Sequence, residues 1–246
     1  MKISYGTDVG MTRNENQDSV YVHSFSDKSG LFIVADGMGG YEGGKLASST
    51  AIQVISEYIV KDFNENLSCE EIKELLQVSI KTASEEIYKL SSGKRELSGM
   101  GTTVVACIVT SGVLYTASVG DSRGYLYTDS VLKQITTDHS LVYDLYSKGL
   151  ISKEEARKHP QKNVITRAVG SESIVLIDTF ETKLNANDVV LICSDGLHTM
   201  VSEEEISEVL NNSSESTAEE LINLANENGG RDNITVITVK ISDEVK

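Results

Sequence analysis

The chain has 246 residues, of which 39% are hydrophobic and 24% charged, and 37 acids against 22 bases give a formal net charge of −15. Such a surface repels a phosphate backbone, which argues against nucleic acid as a partner. No apolar run approaches the roughly 20 residues that a membrane span needs, so no membrane is expected either.

The N-terminal stretch Met1 to Gly6 lacks the apolar segment of a signal peptide. Cys69, Cys107 and Cys193 are odd in number and match no metal or redox spacing. Cys107 and Cys193 lie in apolar runs and read as small core residues. A reducing cytoplasm is the expected location. With a single proline and no low-complexity linker, residues 1–246 are expected to form one domain. No coiled-coil heptads are visible, so a monomer is expected.

In chain order, the first half-polar strand runs from Ser19 to Phe25, and Leu31 to Ala35 is a continuously apolar strand. From Gly44 to Val60, Leu46, Ala47, Thr50, Ala51, Val54, Ile55, Tyr58 and Ile59 make one helical stripe. Ser68 with Glu71 has the spacing of a capping box, and the helix after it shows Ile72, Leu75, Leu76, Ala83, Ile87 and Leu90 on one face. Thr103 to Val109, Val113 to Val119 and Arg123 to Thr128 follow as strands. They are separated by the turn signals Ser111-Gly112 and Gly120-Asp121, with Asp129-Ser130 after the last. Ser152 with Glu155, Ser202 with Glu205 and Thr217 with Glu220 repeat the capping spacing. The last of these helices is expected to stop at Gly229-Gly230. Val189 to Cys193 is a second buried strand, and Ile234 to Ile241 closes the chain as a half-polar one.

Strands apolar on both sides need cover on both faces. The closely spaced strands before residue 135 leave no room for crossover helices, which disfavours a parallel sheet. Two antiparallel sheets between outer helix layers satisfy both constraints, giving an α+β fold, a four-layer α-β-β-α sandwich.

Two buried strands end alike, in Asp36-Gly37 and in Ser194-Asp195-Gly196. An isolated Asp-Gly is usually a turn, but neither of these leads straight into a returning strand. Asp18 closes a polar stretch before a strand, and Asp232 follows Gly229-Gly230-Arg231 before the last one. Singly, each reads as a solvated loop. Together, aspartates at strand ends beside glycines suit a hard divalent cation, which takes carboxylates, carbonyl oxygens and water. Without histidine–cysteine clusters, zinc and copper fit poorly.

Arg13 to Asp18, Asp36-Gly37-Met38-Gly39-Gly40, Ser98-Gly99-Met100-Gly101-Thr102-Thr103, Gly120-Asp121-Ser122-Arg123, Asp138-His139-Ser140, Ser194-Asp195-Gly196-Leu197 and Asp232-Asn233-Ile234-Thr235 follow one another in order. This series resembles the metal-dependent, type-2C protein phosphatases, in particular the compact bacterial members, over nearly the whole chain. The resemblance implies the α-β-β-α sandwich and hydrolysis of phosphoserine and phosphothreonine in proteins. It implies that Asp36 bridges two Mn²⁺ or Mg²⁺ ions, with the Gly37 carbonyl on one of them. Asp195 and Asp232 would then hold the other, and Asp18 would act through bound water. Asp121 would serve a third, weaker ion and Arg13 would bind the phosphate. The segment from 143 to 165 would be the variable flap, and a serine/threonine kinase of the same cell is the implied partner.

The chemistry suits that assignment. Phosphate monoesters hydrolyse so slowly that up to ~10²¹-fold acceleration is required. Two cations about 3.5–4 Å apart activate water near neutral pH and neutralise charge on the phosphoryl oxygens. No arginine stands six positions after any cysteine, so the cysteine-nucleophile phosphatase loop is absent. Met38 and Tyr41 stand where many relatives carry histidine. The acid that protonates the leaving group is therefore unassigned, and His139 and His198 are weak candidates. A dinucleotide loop at Gly37-Met38-Gly39-Gly40 fails at Glu42. A non-catalytic binding module would have lost metal ligands that are all present here. A phosphatase dedicated to one small stress or sporulation regulator is the remaining alternative.

Overall fold

The computed structural model describes residues 1–242, without the side chains of Tyr41 and Glu42. The side chains weighed above at those two positions, and residues 243–246 of the expected domain, lie outside the description. The strands are β1 (Lys2–Asp8), β2 (Asp18–Ser24), β3 (Gly30–Met38), β4 (Gly101–Thr102), β5 (Val104–Thr110), β6 (Val113–Val119), β7 (Arg123–Thr128), β8 (Val131–Gln134), β9 (Asp178–Lys183), β10 (Val189–Cys193) and β11 (Ile234–Lys240). The α-helices are α1 (Gly40–Asp62), α2 (Cys69–Ser91), α3 (Leu141–Ser147), α4 (Lys153–Lys158), α5 (Asp195–His198), α6 (Glu203–Asn211) and α7 (Thr217–Glu227).

Two sheets form. One has the order β1-β11-β10-β7-β8, the other β2-β3-β5-β6-β9 with β4 beside β3. Every pairing is antiparallel. The alternation of strand side chains then explains the apolar runs. Leu31 and Ile33 of β3 pack with Ile55, Ile59, Leu76 and Ile80 of α1 and α2. Phe32 and Val34 face the other sheet, where Val190, Ile192, Ile237 and Val239 meet them. Leu191 and Cys193 of β10 turn outward against Ile206, Leu210 and Leu221 of α6 and α7. The result is helix, sheet, sheet, helix, as expected. Among the described residues no helix is long and apolar enough to cross a membrane.

Three of the four capping boxes form, at Ser68–Glu71, Ser152–Glu155 and Ser202–Glu205. The Thr217–Glu220 expectation is corrected. Thr217 is the first helical residue of α7, and its hydroxyl turns back to bond the nitrogen and carbonyl of Ser214, at 2.6 and 2.9 Å. Glu220 pairs instead with the Ser216 hydroxyl at 2.6 Å. The same helix does end before Gly229 and Gly230, whose φ values of 124° and 49° favour glycine. Strands β1, β8 and β9 were not anticipated. Each is half polar and takes its conformation from pairing at or near a sheet edge.

Candidate metal centre

The two sheets bring their acids to one edge. In the β2–β3 ladder Asp18 lies directly across from Asp36. In the other sheet β10 and β11 are paired, so Asp195, which opens α5, and Asp232, just before β11, emerge together. Hydroxyls of this sheet grip an acid of the other one: Ser194 Oγ and Thr235 Oγ1 donate to Asp18 Oδ2 at 2.8 and 2.7 Å. Asp36 is held through its backbone. Its N–H donates to Thr103 Oγ1 at 3.1 Å, and its carbonyl accepts from the Thr103 N–H at 2.8 Å.

Arg13 sits in the loop joining β1 to β2. Its guanidinium reaches Asp232 Oδ2 at 2.7 Å, with 55% of the side chain exposed. Arg13, Asp36, Gly37, Asp121, Asp195 and Asp232 all line one cleft of about 560 Å³, which Asn163 and Ile165 of the 143–165 segment border. Gly37 allows no side chain, because a Cβ there would stand 2.0 Å from the Gly44 carbonyl oxygen. Asp121 follows β6 through Gly120, whose φ is 101°. Asp18 does not line the cleft; it is paired across the ladder from Asp36 and almost fully buried. The 143–165 segment contains α4 and most of α3, and a bridge between Ser140 and Ile165 closes its base.

Crowding these acids away from water is unfavourable for their charged forms. Burial, then the charges of Asp18, Asp195, Asp121 and Asp232, holds the Asp36 carboxyl well above the usual range. Asp195 is raised likewise by burial, then by Asp121, Asp232 and Asp18. Burial lifts Asp18 to about 6 against the opposing hydrogen bonds from Thr235 and Ser194. Burial and neighbouring Asp138 lift Asp121 to about 6.

A cluster of this kind fits divalent cations. The Oδ1 atoms of Asp18 and Asp195 are buried and have no hydrogen-bond partner, an arrangement that costs free energy unless something positive meets them. Among the described residues no three His, Cys, Asp or Glu side chains form a ready-made ligand group. Hard cations complete such a shell with carbonyl oxygens and water, and the Gly37 backbone on the cleft wall is suited to that part.

The two candidate histidines serve other contacts. His139 accepts from the Gly120 N–H at 3.0 Å and places its second nitrogen 3.2 Å from Asp178. His198 lies 3.1 Å from the Asp121 carbonyl oxygen, and burial, then Arg123, depresses it to about 3. Neither lines the cleft. Burial pushes the Cys107 and Cys193 thiols up to about 12, so both are inert core residues. Ser194, Thr235 and Thr103 stood in the motifs without an assigned task. Ser194 and Thr235 stand beside Asp195 and Asp232 in the sequence, whereas Thr103 has no aspartate near it, and the targets of all three are distant in sequence.

Comparison with known proteins finds relatives along nearly the whole chain. The family description "Protein phosphatase 2C" fits residues 8–235. The chain is 43% identical to the serine/threonine phosphatase stp of Listeria innocua, covering 98% of this chain and 96% of the relative. The solved serine/threonine phosphatase of S. agalactiae superposes with a TM-score of 0.90 at 37% identity, covering 98% and 99% of the two chains. The catalytic domain of the serine/threonine protein phosphatase PstP, solved in complex with 2 manganese ions, superposes with a TM-score of 0.85 at 32% identity, covering 98% of each. An edge of converging buried carboxylates on an α-β-β-α frame, matched along nearly the whole length, leaves one conclusion: the chain belongs to the protein phosphatase 2C family.

Proposed function

We propose that this protein phosphatase hydrolyses phosphoserine and phosphothreonine in proteins with Mn²⁺ or Mg²⁺, opposing a serine/threonine kinase in the cytoplasm. The observation that carries the metal requirement is the pair of buried, unpartnered oxygens on Asp18 and Asp195 within a set of mutually repelling carboxylates. Asp36 and the Gly37 carbonyl would hold one core ion, and Asp36, Asp195 and Asp232 the other, with Asp18 acting through bound water. Asp121 would hold a third, weaker ion. When bound, such ions activate water for attack on phosphorus and neutralise charge on the phosphoryl oxygens.

The chain's own residues do the rest. Arg13, on the open rim, binds the incoming phosphate through its planar donors. The Ser194 and Thr235 hydroxyls hold Asp18 in one orientation, and Thr103 holds the Asp36 backbone. The cleft is open to solvent on the Arg13 side, where a phosphorylated side chain of a folded protein can enter. We read residues 1–246 as one phosphatase domain working as a monomer, with the 143–165 segment as its flap.

The direct test is hydrolysis of a phosphothreonine peptide by the purified protein during a Mn²⁺ titration. Turnover is expected to rise with Mn²⁺ and vanish with chelator. Metal-replete protein inert toward phosphopeptides and p-nitrophenyl phosphate would instead support a binding module. Asp121→Ala separates the third site from the core. It should keep Mn²⁺-dependent turnover at a level reduced about 10- to 100-fold and need more Mn²⁺ to saturate. Complete loss of Mn²⁺ binding by calorimetry in that variant would place Asp121 in the core pair instead.

A further inference from the structure

The loop from Val9 to Gln17 carries Arg13, and one buried amide ties both of its ends. Asn233, 6% exposed, donates from Nδ2 to the Val9 and Glu15 carbonyl oxygens, each at 3.0 Å. Its Oδ1 accepts from the Gln17 N–H at 2.8 Å. The middle of the loop rests on the residues just before Asn233. Met11 N–H donates to the Gly230 carbonyl and Thr12 Oγ1 to the Arg231 carbonyl, both at 2.7 Å. Gly10 approaches so closely that a Cβ would stand 2.2 Å from the Asp232 carbonyl oxygen.

We propose that Asn233 is a positioning residue: by pinning both ends of this loop it fixes where Arg13 meets the phosphate. The inference rests on Arg13 as the phosphate-binding group. The contacts require two donors and an acceptor on one short side chain, which an amide supplies and a carboxylate does not. An aspartate could still accept from Gln17, but it would set negative charge against two carbonyl oxygens. Arg13 is long and 55% exposed, with its guanidinium on Asp232 Oδ2 at 2.7 Å, so the loop sets where its Cα stands and Asp232 holds its far end. A misplacement of about 1 Å can cost ~10²-fold in rate.

The test is a double-mutant cycle on the Mn²⁺-loaded enzyme with Arg13→Ala, Asn233→Ala and both together. It is read by inhibition with inorganic phosphate and by kcat/KM on a phosphothreonine peptide. Amide exchange over residues 9–17 is followed in parallel on metal-free protein. Asn233→Ala should weaken phosphate inhibition and lower kcat/KM about 10- to 100-fold, and exchange over 9–17 should quicken. In the Arg13→Ala background the same change should add almost nothing, because the interaction it supports is already gone. Should Asn233→Ala fail to fold, Asn233→Asp enters the same cycle, since it keeps the Gln17 contact. Equal losses with and without Arg13 overturn the proposal, as does phosphate inhibition untouched by Asn233→Ala. Unchanged exchange over 9–17 overturns the clamp itself. Phosphate inhibition unaffected by Arg13→Ala would refute the reading of Arg13, a result separate from the exchange measurement.

Discussion

Asp36→Asn is expected to lower Mn²⁺-dependent kcat/KM by about 10³-fold, the size seen when a charge-stabilising group is removed from a transition state. The charges of Asp18, Asp195, Asp121 and Asp232 all act on Asp36. Asparagine keeps the shape and removes the charge, so a lost ion should show in Mn²⁺ calorimetry as weaker binding. The same substitution should have the opposite sign on metal-free stability. With the carboxylate gone, the burial and the repulsion from Asp18, Asp195, Asp121 and Asp232 that hold Asp36 above its usual range no longer cost metal-free stability. In chelator the variant should melt above the parent, by about 2–4 °C for each kcal/mol of repulsion removed. A variant that is inactive, yet more stable without metal, marks a residue kept for chemistry and not for folding. Near-normal turnover in Asp36→Asn would refute the bridging assignment.

The second large effect is a metal-dependent stability that grows with pH. The folded protein retains protons on Asp18, Asp36, Asp121 and Asp195 at pH values where the unfolded chain, with ordinary carboxylates near 3.8, has lost them. Stability must therefore fall as pH rises through that window, up to about 6 for Asp18 and Asp121 and further for the other two. His198 works the other way. Its folded form stays neutral down to about 3, so its contribution is present above the unfolded value of 6.5 and is lost as pH falls. His139, lowered by burial despite Asp178, acts in the same sense. Subtracting the melting temperature in chelator from that in saturating Mn²⁺ cancels the histidines and leaves the carboxylates that bound ions would contact. The difference should widen as pH rises through about 6 and above. A gain independent of pH would mean that the cluster is not where the ions bind.

How much of this was legible beforehand varies by element. The capping boxes at Ser68, Ser152 and Ser202 are local, since donor and acceptor lie within one turn, and they formed as the spacing implied. Thr217 failed for the same local reason: Ser214, three residues earlier, offered its hydroxyl a competing turn. The apolar runs of β3 and β10 announced cover on both faces, because every residue in them is apolar. The edge strands β1 and β9 gave no such signal. Lys2 to Asp8 becomes a strand because β11 supplies its ladder, more than 200 positions away in the chain.

The amino-acid sequence by itself determined the family, the sandwich and the candidate acids, because motif order and strand hydrophobicity are written in contiguous residues. The tertiary structure alone decided how those acids are held. The grip of Ser194 and Thr235 on Asp18, the stray oxygens of Asp18 and Asp195, and the three bonds from Asn233 all join segments far apart in the chain. Hydrogen bonds act over about 3 Å, and only folding brings such atoms that close.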